Sequence, residues 1–142
     1  MGTEWSEIIM YEQIHGSMKA FVYASLPANT FAYHDQVPEE LVIPSVYYPI
    51  LSINDDKTSK DHYTLLYTMV VRFFNATTDK AMQAAEKIAN KIRSNGYTVH
   101  LRNEDGSESI DTIYFRRVTT APSGVGSAQL TMIFEYQQAY VN

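Results

Sequence analysis

The chain has 142 residues and no cysteine, so we expect one domain spanning 1–142, and disulfides, thiolate metal sites and a cysteine nucleophile are excluded. A chain of this length buries roughly two-thirds of its unfolded surface, enough for a core without a metal staple. The formal net charge is −5 and the lysines and arginines are scattered, which argues against a reader of duplex DNA. No apolar run is long enough for a transmembrane helix, and Met1-Gly2-Thr3-Glu4-Trp5 lacks the basic start of a signal peptide; we therefore expect a soluble protein with no membrane partner.

Residues 3–24 read as an amphipathic helix, with Thr3 as its cap and Ile8, Tyr11, Ile14, Met18, Phe21 and Val22 on one stripe. Gly16 inside it costs about 1 kcal/mol relative to alanine and marks a place for a break or kink. Residues 31–36 suggest a short strand, and residues 45–54 a longer one in which Pro49 removes a ladder donor and calls for an edge or a bulge. The polar stretch from Ile53 to His62 then reads as a long hairpin loop.

The stretch His62–Gly96 organises the rest. Tyr63, Leu65, Tyr67, Met69, Val71 and Phe73 alternate as a strand with one face on a core. After Asn75-Ala76-Thr77-Thr78-Asp79 the period changes: Met82, Ala85, Ile88, Ala89 and Ile92 form a helical stripe, and Gly96 stands where a helix C-cap glycine belongs. Further strands are expected over 97–102, 110–118 and 128–136, with a turn at Asn103-Glu104-Asp105-Gly106 and a loop from Thr119 to Ser127. Short polar connections favour antiparallel pairing. The expected fold is therefore α+β, a two-layer domain with a mainly antiparallel sheet of four to six strands packed by two helices. The long strand and the closing strand belong at its centre.

Reactive constellations are scarce. His15, His34, His62 and His100 match no metal-ligand spacing, and the pairs His34-Asp35 and Asp61-His62 fit solvated loops. Asp55, Asp56 and Asp61 lack the glycine and closing glutamate of a calcium loop. Gly124-Val125-Gly126 does not open a helix after a strand, so it is a turn and not a dinucleotide loop. Arg116 and Arg117, adjacent on a strand, are expected on opposite faces, with Glu135 as a partner for one. Eleven tyrosines suit both strands and protein interfaces. No catalytic residue, cofactor or metal is expected.

Three stretches carry a resemblance. PEELVIPSVYYP from Pro38 to Pro49, the strand-to-helix passage FFNATTDKAMQAAEKIA from Phe73 to Ala89, and SAQLTMIFEY from Ser127 to Tyr136 are similar to segments of small bacteriophage tail terminator (head–tail joining) proteins. The resemblance implies a helix-flanked antiparallel sheet and a homo-hexameric ring without catalytic residues. Such a ring caps the head-proximal end of the tail tube, stops its growth and offers its other face to the head connector or completion protein. It implies the virion tail or neck as location, synthesis in the host bacterial cytoplasm, the tail tube protein as partner, and genome DNA passing through the lumen without sequence-specific binding. An acidic lumen would let phosphates slide. A ring needs one patch docking on a different patch of the next copy. The candidate contact loops are Asn54, Asp55, Asp56, Lys57, Thr58 and Lys60, together with Thr119, Pro122, Gly124 and Gly126. Two rivals remain: another neck, head-completion or baseplate component, and a small ligand-binding domain or enzyme with a pocket near His34, Asp35, His62 and Tyr114.

Overall fold

A computed structural model describes residues 3–34, 36–57, 62–103 and 105–139. In chain order they form α1 (Thr3–Ala24), β1 (Phe31–His34), β2 (Ser45–Tyr48), β3 (Ser52–Lys57), β4 (His62–Phe74), α2 (Thr78–Ser94), β5 (Thr98–Arg102), β6 (Glu108–Pro122) and β7 (Ser127–Ala139). The fold is α+β, as the periodicities require.

The β4–α2 passage forms as its pattern dictates. Tyr67, Met69, Val71 and Phe73 are buried, while Leu66, Thr68, Val70 and Arg72 between them are half-buried on the other face. The Thr77 side chain accepts from the Lys80 backbone N–H and caps α2, a contact worth about 1 kcal/mol. Asp79 in the first turn, and Lys91 and Arg93 in the last, complement the helix dipole. At the far end Gly96 N–H donates to Arg93 O and Tyr97 N–H to Ile92 O, the two bonds of a Schellman closure. That closure requires the left-handed backbone of Gly96, at φ 71°.

The strands lie in the order β1-β2-β4-β7-β6-β5, and all neighbours are antiparallel except the parallel β1–β2 pair. β4 and β7 pair along their whole lengths, from His62↔Ala139 to Phe74↔Ser127, and occupy the centre as expected. The strand expected over 45–54 is two strands. β2 pairs with the end of β4 and β3 with its beginning, and the chain leaves the ladder at Pro49-Ile50-Leu51, where proline has no N–H to give. Asn54, Asp55, Asp56 and Lys57, expected in a loop, belong to β3, with Asn54 opposite Leu66 and Lys57 opposite Tyr63. The ladder is made by backbone groups, so polar residues can join it. Thr119 and Pro122 are likewise strand and not loop. β6 runs to Pro122, a strand terminus, where a missing donor costs least.

A β-bulge in β6 changes which side chains face inward. Phe115 pairs with Phe134 and Arg117 with Ile133, leaving Arg116 without a register partner. The inward set is therefore Ile113 and Phe115 before the bulge, then Val118 opposite Met132. Arg117 shares the outer face with Ile133, and Arg116 forms its ion pair with Glu135, which also faces outward opposite Tyr114. The two arginines thus do not take opposite faces; the extra residue cancels the alternation.

Both helices pack on one face of the sheet and share one core. Ile14, Met18, Phe21 and Val22 of α1 join Ala81, Ala85, Ile88, Ala89 and Ile92 of α2 over the inward residues of β4, β7 and β6. α1 is continuous through Gly16, whose position is open enough that an added Cβ would meet nothing within 4 Å. The side chains of Thr3, Ile8 and Tyr11 lie outside the described residues. α1 touches both ends of the sheet: His15 Nε2 donates to Pro49 O at 3.0 Å and Lys19 Nζ lies 3.2 Å from His34 Nδ1, while Gln13 Nε2 donates to Arg102 O at 3.1 Å. A sheet with both ends on one helix has to curl around it.

Candidate assembly surfaces at the sheet edges

At Arg102, its last residue, the β5 edge is closed by the chain itself. Arg102 N–H donates to Ser17 Oγ at 2.8 Å and Arg102 O accepts from Gln13, so α1 side chains occupy both ladder groups at this position. Ser17 is buried, held in place beside Met18 and the core stripe of its helix. Next to it, a cleft of about 390 Å³ is lined by Lys91, His100, Arg102 and Glu108 among others.

The opposite edge is open. β1 pairs only with β2, and β3 only with β4, among the described residues. Exposed apolar side chains lie on or next to these strands: Phe31 of β1 is 50 % exposed and Ile53 of β3 44 %, and Val42 and Ile50 in the connections are 55 % and 70 % exposed. Phe31 packs against Tyr33 with ring centroids 4.9 Å apart, and the Tyr33 hydroxyl accepts from Val42 N–H, which fastens the 41–43 segment to β1. An unpaired edge flanked by apolar side chains is a template for another chain. Sequence reasoning singled out polar loops and missed this surface. The available signal was Leu41-Val42-Ile43 between Pro38 and Pro44, an apolar run in a segment too interrupted to be buried.

The other predicted contact residues scatter. Thr58 and Lys60 lie outside the described residues, and Asn54 to Lys57 are placed only as backbone of β3. Gly124 and Gly126 do sit in a turn, but it is tight and anchored. Thr78 Oγ1 donates to Gly124 O at 3.3 Å and accepts from Gly126 N–H at 3.0 Å, and Asn75 N–H donates to Gly126 O. Any Cβ at Gly126 would stand 2.7 Å from Asn75 O, so only glycine fits. This turn lifts Val125 fully into solvent above the start of α2.

Glu86, Asp105 and Tyr48 are engaged in structural contacts. Thr120 Oγ1 donates to Glu86 at 2.6 Å and Arg93 pairs with it at 3.2 Å, the hydroxyl contact foremost in holding this carboxyl below its ordinary range. Hydrogen bonds from Ser107 do the same for Asp105 in the β5–β6 turn. Burial pushes the Tyr48 hydroxyl up; its ring stacks on His34. His100 lies beside Thr112, and neither described cleft is lined by His34 or Tyr114. The side chain of His62, and Asp35, lie outside the described residues. Among the described residues no three His, Cys, Asp or Glu side chains gather to hold a metal, and no helix is long and apolar enough to cross a membrane.

These features define an α+β protein whose described surface is marked by its sheet edges. Comparison with known proteins gives it relatives. The chain is 29 % identical over 108 residues to the uncharacterized protein YqbJ of Bacillus subtilis (strain 168), covering 76 % of this chain and 73 % of that protein. It is 24 % identical over 127 residues to the phage-like element PBSX protein XkdJ of the same organism, covering 88 % and 83 %. One solved chain, from the virion of a native gene transfer agent (GTA) particle, aligns with a TM-score of 0.46 at 15 % identity, over 88 % of this chain and 96 % of that one. No protein-family model matches. The chain is thus similar to a phage-element protein.

Proposed function

We propose that this chain is a structural protein of a phage or prophage particle, acting without catalysis. In the finer reading it is a tail terminator: copies form a ring, of six in the resembling family, on the head-proximal end of the tail tube. The ring stops tube growth and receives the head connector or completion protein on its other face. The open β1–β3 edge with its exposed apolar side chains carries the proposal, because a ring requires a surface on each copy that the monomer leaves unsatisfied. The β5 edge, covered by α1, is available to no second strand at Arg102, so pairing between copies has a direction. Similarity to the PBSX protein supports the phage setting. The net charge of −5 suits a lumen through which DNA passes without sticking.

Particles made without this gene test the role. Tails of uncontrolled length on unjoined heads are the expected result. Particles with normal tails joined to heads contradict it, and tails of normal length that fail to join heads assign the chain to another neck component.

A further inference from the structure

The sheet divides between β6 and β7. The two strands pair from Pro122↔Ala128 to Tyr114↔Glu135 and no further among the described residues. Past that point β7 continues to Ala139, paired with β4 as far as His62, while β6 pairs with β5 from Ile113↔Val99 to Glu108↔Arg102. Residues 136–139 of β7 thus have β4 on one side and no described strand on the other. The Arg116 bulge stands at this parting, and a bulge bends its strand and ends pairing. The ion pair of Arg116 with Glu135 fastens the two strands where they separate. β3, β4 and the end of β7 therefore form a three-stranded ribbon, and both of its outer ladders are unpaired among the described residues.

We infer that residues 136–139 of β7 receive the β3 edge of a neighbouring copy, so that adjacent sheets join edge to edge. The inference rests on the ring reading and supplies the second of the two different patches that a ring requires. Strand directions agree with it. β3 and β7 both run antiparallel to β4, so within one copy they are parallel to each other. Rotation about an axis along the ribbon keeps that direction, and β3 meets the neighbour's β7 as a parallel pair with evenly spaced bonds. Charge selects the same partner. β3 includes Asp55 and Asp56, whereas Tyr136, Gln137, Gln138 and Ala139 carry no charge. Pairing β3 with a second β3 sets acid against acid, and like charges across a ladder are destabilising. The part of β6 that faces the parting includes Glu108 and Asp111 and is disfavoured on the same ground. Each copy offers one β3 edge and one β7 edge, so the contact repeats until the ring closes and no ribbon edge is left open.

The test is cross-linking, in a chain with no cysteine of its own. Positions 54, 66 and 135 form one cross-strand row and 56, 64 and 137 the next on the same face, while 55 falls on the other face. The assembly formed by the full chain, alone or with tail tube protein, is oxidised and run on a non-reducing gel. Asn54→Cys/Gln137→Cys or Asp56→Cys/Gln137→Cys should give covalent multimers, about tenfold or more above Asp55→Cys/Gln137→Cys, because a disulfide needs facing Cβ atoms. Neither single-cysteine chain should multimerise. Hydrogen exchange on the unaltered chain needs no substitution and decides where a cysteine variant fails to assemble: exchange over 136–139 should slow about tenfold or more on assembly. An assembled ring that links equally well through position 55, links β3 to β3 in Asn54→Cys alone, or leaves exchange over 136–139 unchanged overturns this contact while the ring reading stands. A chain that stays monomeric even with tail tube protein contradicts the ring reading and this inference with it.

Discussion

At the β5 end of the sheet, Ser17 and Gln13 reach across from α1 and take both ladder groups of Arg102; at the β1–β3 end, α1 reaches Pro49 O and the His34 ring, and the outer ladder is unpaired among the described residues. The same helix meets both ends and finishes one. Beside the finished edge the neighbouring cleft is polar, with Lys91, His100 and Arg102; beside the open edge stand Phe31, Val42, Ile50 and Ile53. Natural sheets usually blunt their edges with charge, proline or cover. The proposed directional contact between copies rests on this difference between the two edges.

Both edges hang on a common centre, and its loss should be the largest effect. Phe134 is fully buried, with Tyr67 stacked 5.5 Å away and Phe115 tilted against it at 5.4 Å. Phe134→Ala should cost about 3–5 kcal/mol in denaturant unfolding and take both edges with it. Loss of less than about 1 kcal/mol would mean that β4 and β7 are not the shared support.

The closed edge should respond next. Ser17→Ala leaves the Arg102 N–H without its acceptor, a loss of about 1 kcal/mol, at the low end for a buried donor because the adjacent cleft admits water. Amide exchange at Arg102 should quicken while exchange across β4 and β7 stays slow. Unchanged exchange at Arg102 would show that α1 does not close the edge.

Glu86 lies on the helix layer, away from either edge, and should matter least. Its folded pKa lies below its ordinary value of 4.5, so it adds stability above that pH and loses it as pH falls through the folded value. Glu86→Gln should flatten that acid-side slope by well under about 1 kcal/mol, the group being half-exposed, and leave stability at pH 7 nearly unchanged. An identical acid titration in the variant would count against the Thr120 and Arg93 contacts.

What the residues disclosed in advance follows the same division. β4, α2 and the Gly96 closure were legible because alternation, helical stripe and the closing glycine agree within one short stretch. The split at Pro49 was half-legible: proline announced a break, but the return of β3 to the same edge of β4 depends on where β4 lies. Asn54 to Lys57 misled because ladder pairing is made by the backbone, and a run of polar residues carries no apolar alternation to announce it. The Arg116 bulge left no mark in the sequence, since the residues on either side alternate acceptably in both registers.

The most direct measurement is the mass of the purified assembly, by light scattering and native mass spectrometry, for the unaltered chain and for Val42→Lys/Ile53→Lys. Both residues are exposed, so the substitutions should change the stability of the monomer by no more than about 0.5 kcal/mol. A ring from the unaltered chain, alone or with tail tube protein, and a folded monomer from the variant is the predicted result. A monomer from the unaltered chain under every one of these conditions, or a variant that assembles equally well, would contradict the assignment of the open edge to assembly.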